Sequence, residues 1–141
     1  MTQEEKDLVI KDLCERLPYG VIVQVKDGLK GIYDRRLVQV FCDRVSCSVN
    51  VCNPLKECIC IDSVKPYLRP MSSMTESERK EFDDFCVIDE DVWMGNHKVG
   101  FPKQARIMSK CVDWLNKKMF DYRGLIPKGL ANVAPEGMYN N

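Results

Sequence analysis

Histidine is almost absent from this 141-residue sequence: His97 is the single one. Acid–base and cysteine-based catalysis most often depend on a histidine, and no local pattern pairs His97 with a cysteine or a carboxylate. Gly28 and Gly31 are too close together for a phosphate-binding loop or a dinucleotide fingerprint. We therefore expect a non-catalytic protein with no cofactor.

Long apolar runs are also missing. Residues 8–10 and 21–23 are typical of the apolar runs, whereas a membrane-spanning helix needs about 20 such residues. The first ten residues are charged where a secretory signal peptide would be apolar. These features predict a cytoplasmic protein that does not contact a membrane.

Cysteine, in contrast, is abundant. The eight are Cys14, Cys42, Cys47, Cys52, Cys58, Cys60, Cys86 and Cys111. A disulfide framework needs an oxidising compartment, and the spacing between residues 42 and 60 fits the short C-x₂₋₄-C pairs of zinc sites poorly. We therefore predict reduced cysteines that act as small buried side chains and no metal site. Whether the five between 42 and 60 converge in space stays open.

Two capping boxes mark the starts of predicted helices. Thr2 with Glu5 and Thr75 with Glu78 have the form S/T-x-x-E, which satisfies amides at a helix N-terminus. Apolar residues at three- and four-residue spacing then predict helices at 3–17, 76–86 and 103–119. Residues 89–102 are predicted to be a loop, and 124–130 a further helical turn.

Short β-rich segments separated by turn signals lie between the first two helices. They predict strands at 20–25, 29–33, 37–42, 45–52 and 57–61, with Cys47, Cys58 and Cys60 facing inward. The predicted fold class is α+β: an N-terminal helix, a small antiparallel sheet or SH3-like barrel, then two to three packed helices. One domain covers 1–141, with a helix at 3–17, a β region at 20–61, a connector at 62–74, a helical part at 75–131 and a frayed tail at 132–141.

The charges sum to zero but are unevenly distributed. Residues 71–91 carry a net charge of −6, and residues 92–141 carry +5. A general polyanion-binding domain would be basic throughout. This pattern instead favours pairing of the acidic segment with the basic segment, within one subunit or between two subunits. We therefore expect a protein partner or self-association.

Two residue sets are candidate binding surfaces. Basic and aromatic side chains together bind nucleic acid on small sheets. The possible nucleic-acid face comprises Lys26, Lys30, Tyr33, Arg35, Arg36, Phe41 and Arg44. Aromatic residues and arginine are also enriched at protein interfaces, although aromatics near a helix end commonly belong to the core. The second set comprises Trp114, Phe120, Tyr122 and Arg123.

Three phrases carry a resemblance to a known family: KDLCERLPYG at 11–20, VKPYLRPMSSMT at 64–75, and FDYRGLI at 120–126 followed by GLA at 129–131. Together they resemble a family of small proteins encoded in gut Bacteroidetes genomes, often in prophages or mobile elements. The family has no assigned activity, so the resemblance implies an intracellular bacterial or phage setting without a mechanism. We expect an interaction or accessory protein; the alternative is a nucleic-acid-binding module.

Overall fold

The computed structural model describes residues 1–42, 47–52, 58–85 and 97–139. Within them the chain has the predicted α+β fold, with three α-helices and a six-stranded sheet. The helices are α1 (Gln3–Arg16), α2 (Glu76–Phe85) and α3 (His97–Lys117). The strands are β1 (Ile22–Asp27), β2 (Gly31–Cys42), β3 (Cys47–Val51), β4 (Ile59–Cys60), β5 (Val64–Leu68) and β6 (Asn132–Val133).

Both predicted capping boxes are present. The Glu5 amide donates to the Thr2 hydroxyl at 3.2 Å, and the Thr2 amide donates to the Glu5 carboxylate at 2.7 Å. Thr75 and Glu78 exchange the same two bonds at the start of α2, at 3.1 and 3.2 Å. Because each box satisfies amides that a helix leaves without partners, the two starts are encoded locally.

The strands pair in the order β4-β3-β2-β1-β5-β6. All these pairings are antiparallel except that between β5 and β6, which is parallel. Strands β4 and β6 are the two ends of this order among the described residues, so of the two predicted alternatives the sheet is observed. Helix α1 packs on the sheet through the buried side chains of Val9, Ile10 and Leu13.

Two predictions in the β region are wrong. The charged residues 34–36, predicted to separate two strands, lie within the continuous strand β2 opposite Gln24, Val23 and Ile22. Charged side chains are tolerated there because they are exposed, while the backbone of the same residues pairs with β1. The predicted connector contains β5, which lies between β1 and β6 in the sheet.

The predictions for the C-terminal third also need correction. Helix α3 begins at His97, not after a loop that ends at 102. Gly100 and Pro102 are weak helix formers, so local propensity placed the start too late. Residues 124–130 form turns rather than a helix, because the buried carboxylate of Asp121 accepts from the amides of Leu125 and Ile126 at 2.8 and 2.9 Å.

The tail joins the sheet instead of fraying. Asn132 and Val133 pair with β5, and the Ala134 amide donates to the Leu68 carbonyl at 2.8 Å. The Tyr139 hydroxyl donates to the Tyr67 carbonyl at 2.8 Å and accepts from the Ile22 amide at 3.0 Å. These bonds hold residues 132–139 across the β1 and β5 end of the sheet.

Two apolar clusters form the core. The larger joins α1, the valines of β1, β3 and β5, and residues between α3 and β6 such as Leu125 and Leu130. The smaller contains Trp114, Leu115 and Phe120, with the half-buried Phe82 of α2 packed against it. In the described part of the chain, no helix is long and apolar enough to cross a membrane.

Candidate interaction surface

The predicted nucleic-acid face is divided between two sides of the sheet. Tyr33 and Arg35 lie opposite Val25 and Val23, whereas Arg36 lies opposite Ile22. Because successive side chains of a strand point to opposite faces, Tyr33 and Arg35 share one face, and Arg36 and Lys26 lie on the other. The Arg35 guanidinium stacks on the Tyr33 ring at 5.3 Å from its centroid. These basic residues therefore do not form one continuous surface.

The remaining residues of that set are dispersed as well. Phe41 is 39% exposed and lies opposite Ser48 near the far end of β2. Lys30 is exposed and precedes β2. Arg44 lies outside the described residues, as does the acidic run 89–91. The structure brings Tyr33 and Arg35 of this set together and places Lys26 and Arg36 on the other side of the sheet.

The predicted aromatic segment is mostly core. Trp114 is 5% exposed and Phe120 is fully buried, with their rings stacked at a centroid distance of 5.8 Å. The Trp114 Nε1 donates to the Glu81 carboxylate at 3.1 Å, which links α3 to α2. Trp114 and Phe120 thus present almost no side-chain surface to a partner.

Tyr122 and Arg123 take part in a polar network beneath α1. The Arg123 guanidinium forms ion pairs with Asp12, at 2.7 Å, and with Glu15. The Tyr122 hydroxyl donates to Glu15 at 3.0 Å, and burial raises its pKa to about 12. Bonds from Arg123 and Tyr122 hold the Glu15 pKa below its ordinary value although burial opposes them.

A buried arginine completes this network. Arg16 is fully buried; its Nε donates to Asp12 at 2.9 Å and its Nη2 to the Phe120 carbonyl at 2.7 Å. Its Nη1 has no hydrogen-bond partner in the described structure. Since a buried ion pair rarely stabilises by itself, we interpret the network as the device that fixes α1 against the segment after α3.

Helix α3 displays a line of basic residues on its exposed side. Lys103, Arg106, Lys110 and Lys117 are all exposed and are separated by three, four and seven residues. Residues three, four and seven apart lie on one face of a helix, so the four cations form a line about 21 Å long at 1.5 Å per residue. Asp113 is the one acid on the same face. We call these four residues the basic stripe.

Helix α2 is acidic and lies beside α3. It carries five acids against two bases, Arg79 and Lys80. The Phe82 ring packs against Trp114 of α3 at a centroid distance of 5.3 Å. Three of the acids are exposed and form no ion pair with another described residue: Glu76, Asp83 and Asp84. We call these three residues the acidic patch.

The basic stripe likewise lacks ion pairs in the described part of the chain, although Asp113 lies on its face. None of its four cations forms an ion pair with another residue that the structure describes. Adjacent helices thus present opposite net charges to solvent. Exposed charges arranged in this way act on other molecules through the field that they create.

A groove of about 1020 Å³ opens at the C-terminal end of the stripe. Its walls include Tyr19, the segment 69–75, Lys117, Lys118 and the tail from 133 to 139. One wall is fixed by Arg69, whose guanidinium contacts Glu78 through two bonds of 2.7 and 2.8 Å. This pairing is the largest influence on the Glu78 carboxyl and lowers its pKa to about 2.

The prediction that the cysteines are buried is wrong for most of those described. Cys14, Cys42, Cys52, Cys58 and Cys60 are exposed, and Cys47 is half-buried against the core. Cys60 lies opposite Ser48, the residue next to Cys47, and therefore points to the other face of the sheet. Cys111 is disulfide-bonded, so the prediction of reduced cysteines does not hold for that residue.

In the described ranges, no group of three or more potential ligands is arranged to hold a metal ion. Comparison of the chain with known proteins found no similarity: no family profile, no curated protein and no solved structure matches it.

Proposed function

We propose that this protein is a non-catalytic interaction protein of a phage or mobile element, and that it self-associates through helices α2 and α3. The observation that carries the proposal is the basic stripe beside the acidic patch, whose members form no ion pair with another described residue. The mobile-element setting rests on the resemblance carried by the three phrases at 11–20, 64–75 and 120–131.

A second copy of the chain is the partner that best matches this pattern. Two adjacent helices of opposite charge are self-complementary, because a two-fold rotation places α2 of one copy over α3 of the other at both sites. A polyanion, in contrast, would meet the acids of α2 next to the stripe. Surfaces that carry both signs favour partners with a matching arrangement of charge, and the zero net charge of the chain adds no general attraction for nucleic acid.

The expected association is weak and sensitive to salt. Exposed ion pairs contribute about 0.2–1 kcal/mol each. Three acids at each of two equivalent contacts can form six pairs, which together supply at most about 6 kcal/mol. Because association also costs translational and rotational entropy, we expect a dimer in about the millimolar range. The Debye length falls from about 10 Å at 0.1 M salt to about 3 Å at 1 M. Sedimentation velocity over a concentration series should therefore show a dimer at low salt and a monomer at high salt.

A charge-swap experiment tests the proposed contact directly. One variant reverses the stripe (Lys103→Glu, Arg106→Glu, Lys110→Glu), and the other reverses the patch (Glu76→Lys, Asp83→Lys, Asp84→Lys). Each variant should be monomeric alone because like charges then face each other. An equimolar mixture should restore the dimer, since each variant supplies the charge that the other lacks. A wild-type monomer at every concentration in low salt would overturn the proposal.

The alternative, nucleic-acid binding by the sheet, has its own variant. Lys26→Glu with Arg36→Glu reverses the charge of two basic residues that share one side of the sheet and should leave the low-salt dimer intact. Gel-shift measurements with single- and double-stranded DNA at low salt complete the test. A shift of the DNA band that is lost in the sheet variant and kept in the variant with the reversed basic stripe would support nucleic-acid binding over self-association.

A further inference from the structure

Cys42 and Cys47 form the last cross-strand pair of the β2–β3 ladder. They lie directly opposite each other in the register, and their sulfur atoms are 2.7 Å apart. Cys42 is exposed and Cys47 is half-buried, with its side chain packed against the larger core cluster. The sequence places four residues between them.

The backbone at this position suits a disulfide. Directly opposed residues of an antiparallel pair have Cα atoms about 4.5–5.5 Å apart, and disulfides join Cα atoms about 4.4–6.8 Å apart. The two sulfurs are separated by about 0.7 Å more than the length of an S–S bond. A bond between them therefore needs small side-chain movements and no change in register.

A third thiol lies close to the pair. Partial desolvation raises the pKa of the exposed Cys14 on α1, and the charges of Cys42 and Glu15 raise it further. A raised pKa keeps Cys14 protonated, and the thiolate is the reactive form of cysteine. Cys14 therefore serves as a control thiol, because it interacts electrostatically with Cys42 but is not its cross-strand partner.

We propose that Cys42 and Cys47 are a reversible redox site whose oxidant is a low-molecular-weight disulfide such as oxidised glutathione. The thiolate of the more exposed Cys42 attacks one sulfur of the oxidant, forming a mixed disulfide and releasing one thiol. Cys47 then loses its proton and attacks the Cys42 sulfur, which releases the second thiol and closes the Cys42–Cys47 bond. Two protein thiols are oxidised by two electrons, and one small disulfide is reduced to two thiols.

The oxidised state links β2 to β3 covalently beyond their backbone ladder. Because the ladder already sets the register, oxidation should stabilise this hairpin without altering the rest of the sheet. The site is on a different part of the chain from α2 and α3, so its test is independent of the self-association proposed above.

The test incubates the purified full-length chain in a series of ratios of oxidised to reduced glutathione. After acid quenching and alkylation, trypsin digestion separates the two cysteines, because Arg44 lies between them in the sequence. Peptides joined by a Cys42–Cys47 disulfide should form at oxidised glutathione concentrations at least about tenfold below those that give an adduct in Cys47→Ser, since the second thiol acts at high effective concentration.

Two sets of variants make the result decisive. Cys42→Ser and Cys47→Ser should each give a glutathione adduct on the remaining cysteine instead of the linked peptide, and dithiothreitol should reverse both products. Cys14→Ser and Cys52→Ser should form the Cys42–Cys47 link as the wild type does. Independent glutathione adducts on Cys42 and Cys47 in the wild type, or a link that requires Cys14, would overturn the proposal.

Discussion

The guanidinium of Arg69 contacts the carboxylate of Glu78 in a two-pronged ion pair, with Nη1 to Oε2 at 2.8 Å and Nη2 to Oε1 at 2.7 Å. Arg69 directly follows β5, and Glu78 is in the first turn of α2. The same carboxylate accepts from the Thr75 amide at 3.2 Å as part of the capping box. One side chain thus starts α2 and anchors it to the sheet, which sets the direction in which the acidic patch faces.

Replacing Glu78 with Gln should destabilise the protein by about 1–3 kcal/mol at neutral pH, because it removes charged hydrogen bonds. The folded-state pKa of Glu78 is lowered to about 2 from an ordinary value of 4.5. The contribution of the ionised Glu78 to the free energy of unfolding is therefore complete above pH 4.5 and declines as the pH falls toward 2. Urea unfolding at several pH values should show the difference between wild type and Glu78→Gln shrinking over this range. A difference that stays constant with pH would mean that the ion pair with Arg69 does not lower the Glu78 pKa.

Substitutions of the buried residues Asp12 and Arg16 should have strongly non-additive effects on the free energy of unfolding. Asp12→Leu leaves Arg16 and Arg123 without their shared carboxylate, and we expect it to cost about 3–5 kcal/mol. Adding Arg16→Met removes the uncompensated buried charge and should recover part of that loss. Chemical denaturation of the two single variants and the double variant gives the coupling free energy. Additive effects would mean that the two side chains do not depend on each other.

Tyr139 should hold the tail through its hydroxyl. Tyr139→Phe removes bonds to Ile22 and Tyr67 and should cost about 1 kcal/mol below pH 10. Burial raises the Tyr139 pKa from 10 to about 12, so the stabilisation is present below pH 10 and is lost as the pH rises toward 12. The difference in unfolding free energy between wild type and the Phe variant should therefore shrink above pH 10. An unchanged difference would place the hydroxyl in solvent.

Gly20 should resist substitution more than Gly28 does. Gly20 has φ +76° at the turn that follows α1, and a side chain in this left-handed region costs about 1–2 kcal/mol. Gly28 does not have a positive φ, and a Cβ there would meet nothing within 4 Å. Thermal unfolding should show a clear loss for Gly20→Ala and a neutral or slightly stabilising effect for Gly28→Ala. Equal losses would exclude backbone strain as the cause.

Local sequence signals predicted the first two helices well, but not the start of α3 or the turns at 124–130. The two capping boxes located the starts of α1 and α2, because the donor and acceptor groups that satisfy a helix end lie three residues apart. The distribution of charged residues along the sequence identified α2 as acidic and the chain after residue 92 as basic. The basic stripe could also have been found, since Lys103, Arg106, Lys110 and Lys117 already have helical spacing in the sequence.

The sequence by itself determined the capped helices, the opposite charges of α2 and α3, and the α+β class, because these follow from neighbours within about one helical turn. The tertiary structure alone decided that 64–68 is a strand within the sheet, since that depends on pairing with β1 and β6. It also decided which face each basic residue of β2 occupies and which cysteines meet. Cys42 and Cys47 face each other because the register of the β2–β3 pair, which the propensities of the two strands do not specify, places them opposite one another.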